Sequence, residues 1–132
     1  MIGNTDFSFN GVHNTQLVAS VDGRYLPVVY DFDYSGAVNA AYATPDASLR
    51  IRNVRQRKFR GYCTLATEFP KHLALFREKK EAIYALYRDE IGRLLRPGVV
   101  RETLDYFDEF YRMIDSPETA QRAFLDDCVG PH

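Results

Sequence analysis

His13-Asn-Thr-Gln-Leu-Val-Ala-Ser-Val-Asp-Gly-Arg-Tyr-Leu-Pro-Val-Val-Tyr-Asp-Phe32 decides the architecture of the first half of the chain. Its arms, His13 to Val21 and Arg24 to Phe32, are apolar, β-prone runs separated by Asp22-Gly23, a strong two-residue hairpin signal. With Asp22 and Gly23 as the loop, the numbers of opposed residues sum to 45. That register places Leu17 against Val28 and Ala19 against Leu26 on one apolar face, which is expected to be buried. It places Val18 against Pro27 at a non-hydrogen-bonded position, where the missing N–H of proline costs no bond within the hairpin. Asn14 then faces Asp31, also at a non-hydrogen-bonded position, where Cβ atoms approach to about 4.5–5.5 Å.

Outward from the hairpin the texture changes. Residues 1–62 hold most of the glycines and the β-type runs, whereas residues 65–128 are helix-like. The fold class expected is α+β: an N-terminal hairpin or small antiparallel sheet, then a bundle of three to four helices. A single domain over residues 1–132 is expected, with the hairpin and loops in 1–62 and the bundle in 63–132. Leu73, Phe76, Ile83, Leu86, Tyr87, Ile91, Leu94 and Leu95 mark one apolar stripe, and the polar run Arg77 to Glu81 is a candidate division between two helices. Arg96-Pro97-Gly98 reads as a break. Val100, Leu104, Phe107, Tyr111 and Ile114 recur at alternating four and three, the expected buried stripe of one helix. Ser116-Pro117-Glu118 reads as N-cap, N1 proline and early acid of a last helix running through Cys128.

The 132 residues carry 17 Lys+Arg against 18 Asp+Glu, a net charge of −1. Such a balance lacks the electrostatic drive of a nucleic-acid binder, and no apolar run is long enough to span a bilayer. The first residues have neither the basic nor the apolar region of a signal peptide. The chain is therefore read as cytoplasmic by default, and as periplasmic or secreted if a longer precursor supplies a signal. Cys63 and Cys128 have no CxxC or histidine partner at metal spacing. Reduced, buried thiols are the first reading and a single disulfide the second.

Asp6, Asn14, Asp31 and Asp33 gather around the hairpin mouth, with Asn4 and His13 beside them. Hard oxygen ligands suit Mg²⁺, which takes one or two carboxylates and leaves positions for phosphate oxygens and water. The plainer account is that Asp and Asn cap their own turns, and for Asp22 it suffices. A second feature is the run Arg50, Arg52, Arg55, Arg57, Lys58 and Arg60, interleaved with Ile51, Val54 and Phe59. It could hold a phosphate; the favoured account is that it neutralises the Asp6, Asp31 and Asp33 cluster and solvates a surface.

The string Ile2-Gly-Asn-Thr-Asp-Phe-Ser, then His13-Asn14, then Tyr30-Asp-Phe-Asp-Tyr-Ser-Gly36-Ala-Val-Asn-Ala-Ala-Tyr-Ala resembles a family of uncharacterised bacterial proteins with the pattern MIGNTDWS, HN, YDFDxSGxVNAxYA. That family is in turn remotely similar to the atypical kinase fold of spore-coat CotH-type kinases. The resemblance spans Met1 to about Cys63. It implies Asp6 as the catalytic aspartate accepting a hydroxyl proton, and Asn14 and Asp31 as metal ligands, with Asp33 a further ligand or a capping acid. The cofactors implied are Mg²⁺ and ATP. Asp6 and Asn14 stand eight apart where a kinase catalytic loop has five. The elements that cover the nucleotide in a kinase would precede Met1, so the resemblance implies a C-lobe-like portion, completed by a missing N-terminal lobe. Two functions follow as expectations: a fragment or remnant of a kinase-like phosphotransferase, or a non-catalytic interaction domain that binds a protein or a second copy of itself as a homo-oligomer.

Overall fold

The computed structural model describes residues 1–8, 11–126 and 128–130. The chain is α+β, with a two-stranded antiparallel sheet, β1 (Thr15–Ala19) and β2 (Tyr25–Val29), followed by α1 (Phe69–Ala85), α2 (Pro97–Asp115) and α3 (Pro117–Phe124). It divides into two compact units, residues 2–58 and residues 59 onward together with Met1.

In the first unit the hairpin forms where the Asp22-Gly23 signal places it, but its register differs by one residue. Leu17 pairs with Pro27, Val18 with Leu26 and Gln16 with Val28, so opposed numbers sum to 44 rather than 45. The loop has three residues. Gly23 N–H donates to the Ser20 carbonyl at 2.9 Å, and Ser20 N–H donates to the Arg24 carbonyl at 2.8 Å. Gly23 is left-handed, with φ +80°, whereas Asp22 is not among the positive-φ residues. This is a type I turn closed by a left-handed glycine; the two-residue type I′ loop would need both central residues at positive φ. Ser20 tips the balance, because its hydroxyl accepts the Arg24 N–H at 3.1 Å and bonds the Asp22 carboxylate. Asp22 also pairs with Arg24 Nε at 2.7 Å, and these bonds, Ser20 first, hold its carboxyl below the usual range.

Counting outward from the bonded pair Ser20/Arg24, Pro27 still occupies a non-hydrogen-bonded position. Its missing N–H therefore lies on the outer rim of β2. The apolar face expected to be buried is exposed: Leu17 is 67% and Val28 47% accessible. In the observed register these two no longer share a face, and each face of the ribbon carries uncovered apolar side chains. The buried anchor of this unit lies elsewhere, at Val54 and Ser35.

The second unit is helical. Proline at the first turn starts α2, where an N–H would go unsatisfied in any case. The buried residues of α2 are Thr103, Tyr106, Phe107, Phe110, Tyr111 and Ile114. Of the expected stripe, Phe107, Tyr111 and Ile114 are buried, while Val100 and Leu104 are only half-buried. Leu73, Phe76 and Tyr84 of α1 pack on the Phe110–Tyr111–Ile114 core. Phe76 meets Phe110 edge-to-face at 5.0 Å, and Tyr84 and Tyr87 both meet Phe107. Ile91, Leu94 and Leu95, assigned to the α1 stripe from sequence, are exposed.

The polar run Arg77 to Glu81 does not divide α1, which is continuous. Two of its residues serve the packing instead. Arg77 bonds the Ile114 carbonyl near the end of α2, and Lys80 lies 4.8 Å over the Tyr111 ring. The last helix begins as expected, with Ser116 Oγ accepting the Thr119 N–H at 3.4 Å, but it ends at Phe124, short of Cys128. Cys63 and Cys128 are joined in a disulfide, which replaces the first reading of reduced thiols. No helix of the described residues is long and apolar enough to cross a membrane.

Candidate functional site

The acidic corner of the first unit is built by short-range turns at both of its chain segments. Residues 2–6 run beside residues 31–37: Gly36 N–H donates to the Gly3 carbonyl at 3.1 Å, and Ala37 N–H to the Ile2 carbonyl at 3.1 Å. The Thr5 hydroxyl donates to the Tyr34 carbonyl at 3.0 Å. Asn4 serves both segments. Its Oδ1 accepts the Asp6 N–H at 2.9 Å, and its Nδ2 donates to the Asp31 carbonyl at 3.3 Å. Asx-type bonding of this kind fixes the loop bearing Asp6 against the loop bearing Asp31.

Asn14 is buried and left-handed, with φ 52°. Its Nδ2 donates to the Asp6 carbonyl at 2.8 Å and to Asp6 Oδ2 at 3.1 Å. His13 Nε2 lies 3.3 Å from the other carboxylate oxygen, Asp6 Oδ1. Asp6 is thus held from two sides by consecutive residues of the hairpin entry. The strand does not carry this pair past the bridge between Ser8 and His13, because the left-handed turn at Asn14 re-aims its side chain.

The opposition of Asn14 and Asp31 does not form. The Asn14 carbonyl accepts from Tyr30, at 3.1 Å, and Asp31 is itself left-handed with φ 58°. The metal geometry read from a cross-strand Asn14/Asp31 pair is corrected accordingly. Asp31 instead turns to Asp33. Hydrogen bonding to the Asp33 carboxyl and the Asp33 charge, with smaller contributions from desolvation and from the Asp6 charge, hold the Asp31 carboxyl above the usual carboxylate range. The influences on Asp31 come chiefly from other acids. Arg55, within the basic run, donates to the Gly36 carbonyl at 3.4 Å.

Asp33 accepts the Tyr34 N–H at 2.9 Å and the Tyr42 hydroxyl at 3.0 Å. The bond to Asp33, reinforced by its charge, pushes the Tyr42 hydroxyl up. Tyr42 stands within the quoted Tyr30-to-Ala43 string, but the sequence assigns it no role at the site.

The corner thus holds Asp6, Asn14, Asp31 and Asp33 with His13, Asn4 and Tyr42. Among the described residues no three His, Cys, Asp or Glu side chains converge on one point as a metal cage. Mg²⁺ does not require that: one or two carboxylates suffice where phosphate oxygens and water complete the octahedron. Asp31 and Asp33 are the pair whose oxygen donor set fits such an ion.

No family model matches the chain, and no curated protein or solved structure matches it.

Proposed function

We propose that the Asp6, Asn14, Asp31 and Asp33 corner is the catalytic and cation-handling part of an atypical kinase-like phosphotransferase that works with Mg²⁺ and ATP, with the nucleotide covered by a lobe additional to the residues described. The observation that supports this reading is the crowding at Asp31. A carboxyl whose affinity for positive charge is raised by a neighbouring carboxyl is a group at which a divalent cation would relieve like-charge repulsion. When bound, Mg²⁺ would neutralise phosphate charge beside Asp31 and Asp33. The protein's own contribution is positional. Asn14 and His13 fix the Asp6 carboxylate, which accepts the proton of the attacking hydroxyl.

The test is a titration with Mg²⁺ and ATP together, following melting temperature for wild type, Asp31→Asn and Asp6→Asn. Wild type should gain about 2.7 kcal/mol at a hundredfold excess over the dissociation constant. Asp31→Asn should lose that gain, while Asp6→Asn should keep most of it, because Asp6 acts on the acceptor rather than the ion. Equal shifts in wild type and Asp31→Asn at millimolar metal and nucleotide would end this reading.

One observation favours the non-catalytic interaction domain as the second reading. The hairpin exposes Leu17, Val18, Tyr25, Leu26 and Val28, and contiguous exposed apolar residues mark association surfaces. Sedimentation of wild type against Leu17→Lys separates the two readings, since self-association through the hairpin would fall with that substitution and the Mg²⁺ response would not.

A further inference from the structure

The disulfide joins two walls of an apolar groove. Cys63 opens the 3₁₀ turn Cys63–Glu68 that leads into α1, and Cys128 follows α3. Between them lies a groove of about 290 Å³, with Ala66, Phe69 and Leu73 on one side and Ala120, Phe124 and Leu125 on the other.

The two ends of α3 are held by different means. At its start the Thr119 hydroxyl donates to the Met113 carbonyl at 2.5 Å and to the Ser116 carbonyl at 3.1 Å, tying the helix to the end of α2. Beyond its end, Val129 N–H donates to the Gly61 carbonyl at 2.9 Å and Cys63 N–H to the Val129 carbonyl at 3.0 Å. The disulfide adds the covalent tie. Phe124 rests on Phe59 and Phe69, with ring centroids 5.4 and 5.7 Å away. A helix of eight residues is too short to persist without such support.

We infer that the Cys63–Cys128 bond is a redox latch on α3: oxidised, it keeps the helix closed over the groove, and reduced, it lets α3 swing about Ser116 and uncover the apolar wall. The step needs a dithiol reductant. Cys63 is buried and Cys128 half-buried, so the reductant's thiolate attacks Cys128 Sγ. The S–S bond breaks as the mixed disulfide forms, and the Cys63 thiolate leaves and takes up a proton. The second thiolate of the reductant then displaces Cys128, which is protonated in turn. Two electrons and two protons pass to the protein, and the reductant departs as a cyclic disulfide. The new Cys128 thiol keeps an acceptor on its own segment, the Leu125 carbonyl 2.9 Å away, whereas the 3.4 Å contact of Cys63 Sγ with the Gly130 carbonyl belongs to the closed state and is lost on opening.

The experiment follows ring-to-ring proton NOEs in the full chain before and after excess dithiothreitol. The Phe69–Phe124 contact reports on α3, and the Phe76–Phe110 contact, at 5.0 Å, reports on the α1–α2 core. Reduction should abolish the first and leave the second. Cys128→Ser, which has no disulfide to reduce, should show the reduced pattern without reductant. If both contacts survive reduction, the bond stabilises without gating; if both vanish, the unit unfolds as a whole. Either result overturns the latch.

Discussion

The Asn14 side-chain amide donates to Asp6 twice, to its main-chain carbonyl at 2.8 Å and to its carboxylate at 3.1 Å. One buried donor thus ties the backbone and the side chain of Asp6 to the hairpin entry. Asn14→Ala leaves the Asp6 carbonyl without that partner, at an expected cost of about 1–3 kcal/mol in urea denaturation. Asn14→Asp keeps the shape but sets a carboxylate against Asp6, so its loss should be greater at pH 7 than at pH 4. A loss independent of pH in the Asp variant would show that the Asp6 carboxylate does not face this position.

Asp31 supplies a pH dependence with a definite sign. Its folded carboxyl is held above its unfolded value, near 3.8, chiefly by hydrogen bonding to Asp33 and the Asp33 charge, with desolvation and the Asp6 charge adding less. The folded state therefore binds the proton more tightly, and the contribution of Asp31 to stability is present at low pH and is lost as pH rises through the raised value. Carboxyl-carbon NMR should show Asp31 titrating above the ordinary carboxylate range in wild type. In Asp33→Asn the titration should move down, because the charge is gone and an amide can donate to the ionised Asp31.

Phe107 is 2% accessible and touches the rings of Tyr84 and Tyr87. Phe107→Ala should cost about 3–5 kcal/mol, the range for truncating a buried aromatic. Chemical denaturation with an unchanged slope is the assay, and a loss under about 1 kcal/mol would contradict the packing described.

The disulfide closes a separation of 65 residues. In the loop-entropy account its removal destabilises the folded state by about 4 kcal/mol. Cys63→Ala with Cys128→Ala, compared with oxidised wild type in guanidinium, measures this; a difference under about 1 kcal/mol would show that the denatured chain is already constrained.

What the sequence reveals about the hairpin shows how a check can pass without discriminating. Pro27 falls at a non-hydrogen-bonded site in both the expected and the observed register, since its parity is counted from Arg24 in each case. The residue that does discriminate is Ser20, a favourable first residue of a type I turn, with Gly23 in fourth place. The α2 stripe was legible from its period, but Thr103, Tyr106 and Phe110 widen it because α2 packs against both α1 and α3. Arg77 and Lys80 read as a polar interruption because their stems and heads act on different neighbours, which residue type alone does not convey. At the candidate site, the gathering of Asp6 and Asn14 near the hairpin mouth was legible, but the direct bond between them was not, because the expected register aimed Asn14 at Asp31. The pairing of Asp31 with Asp33 was not legible either, because it depends on a left-handed turn at Asp31 that a strand alternation hides.

Pro27 has a consequence for how the exposed hairpin can bind anything. The outer rim of β2 lacks an N–H at its middle residue, and the chain just before β1 is already bridged, His13 to Ser8. Neither rim offers a long uninterrupted ladder, so recognition must run through the side chains of the two faces. Binding of that kind buries hydrocarbon and little charge. It should therefore strengthen on warming from the cold, change little with ionic strength, and carry a negative heat-capacity change in calorimetry.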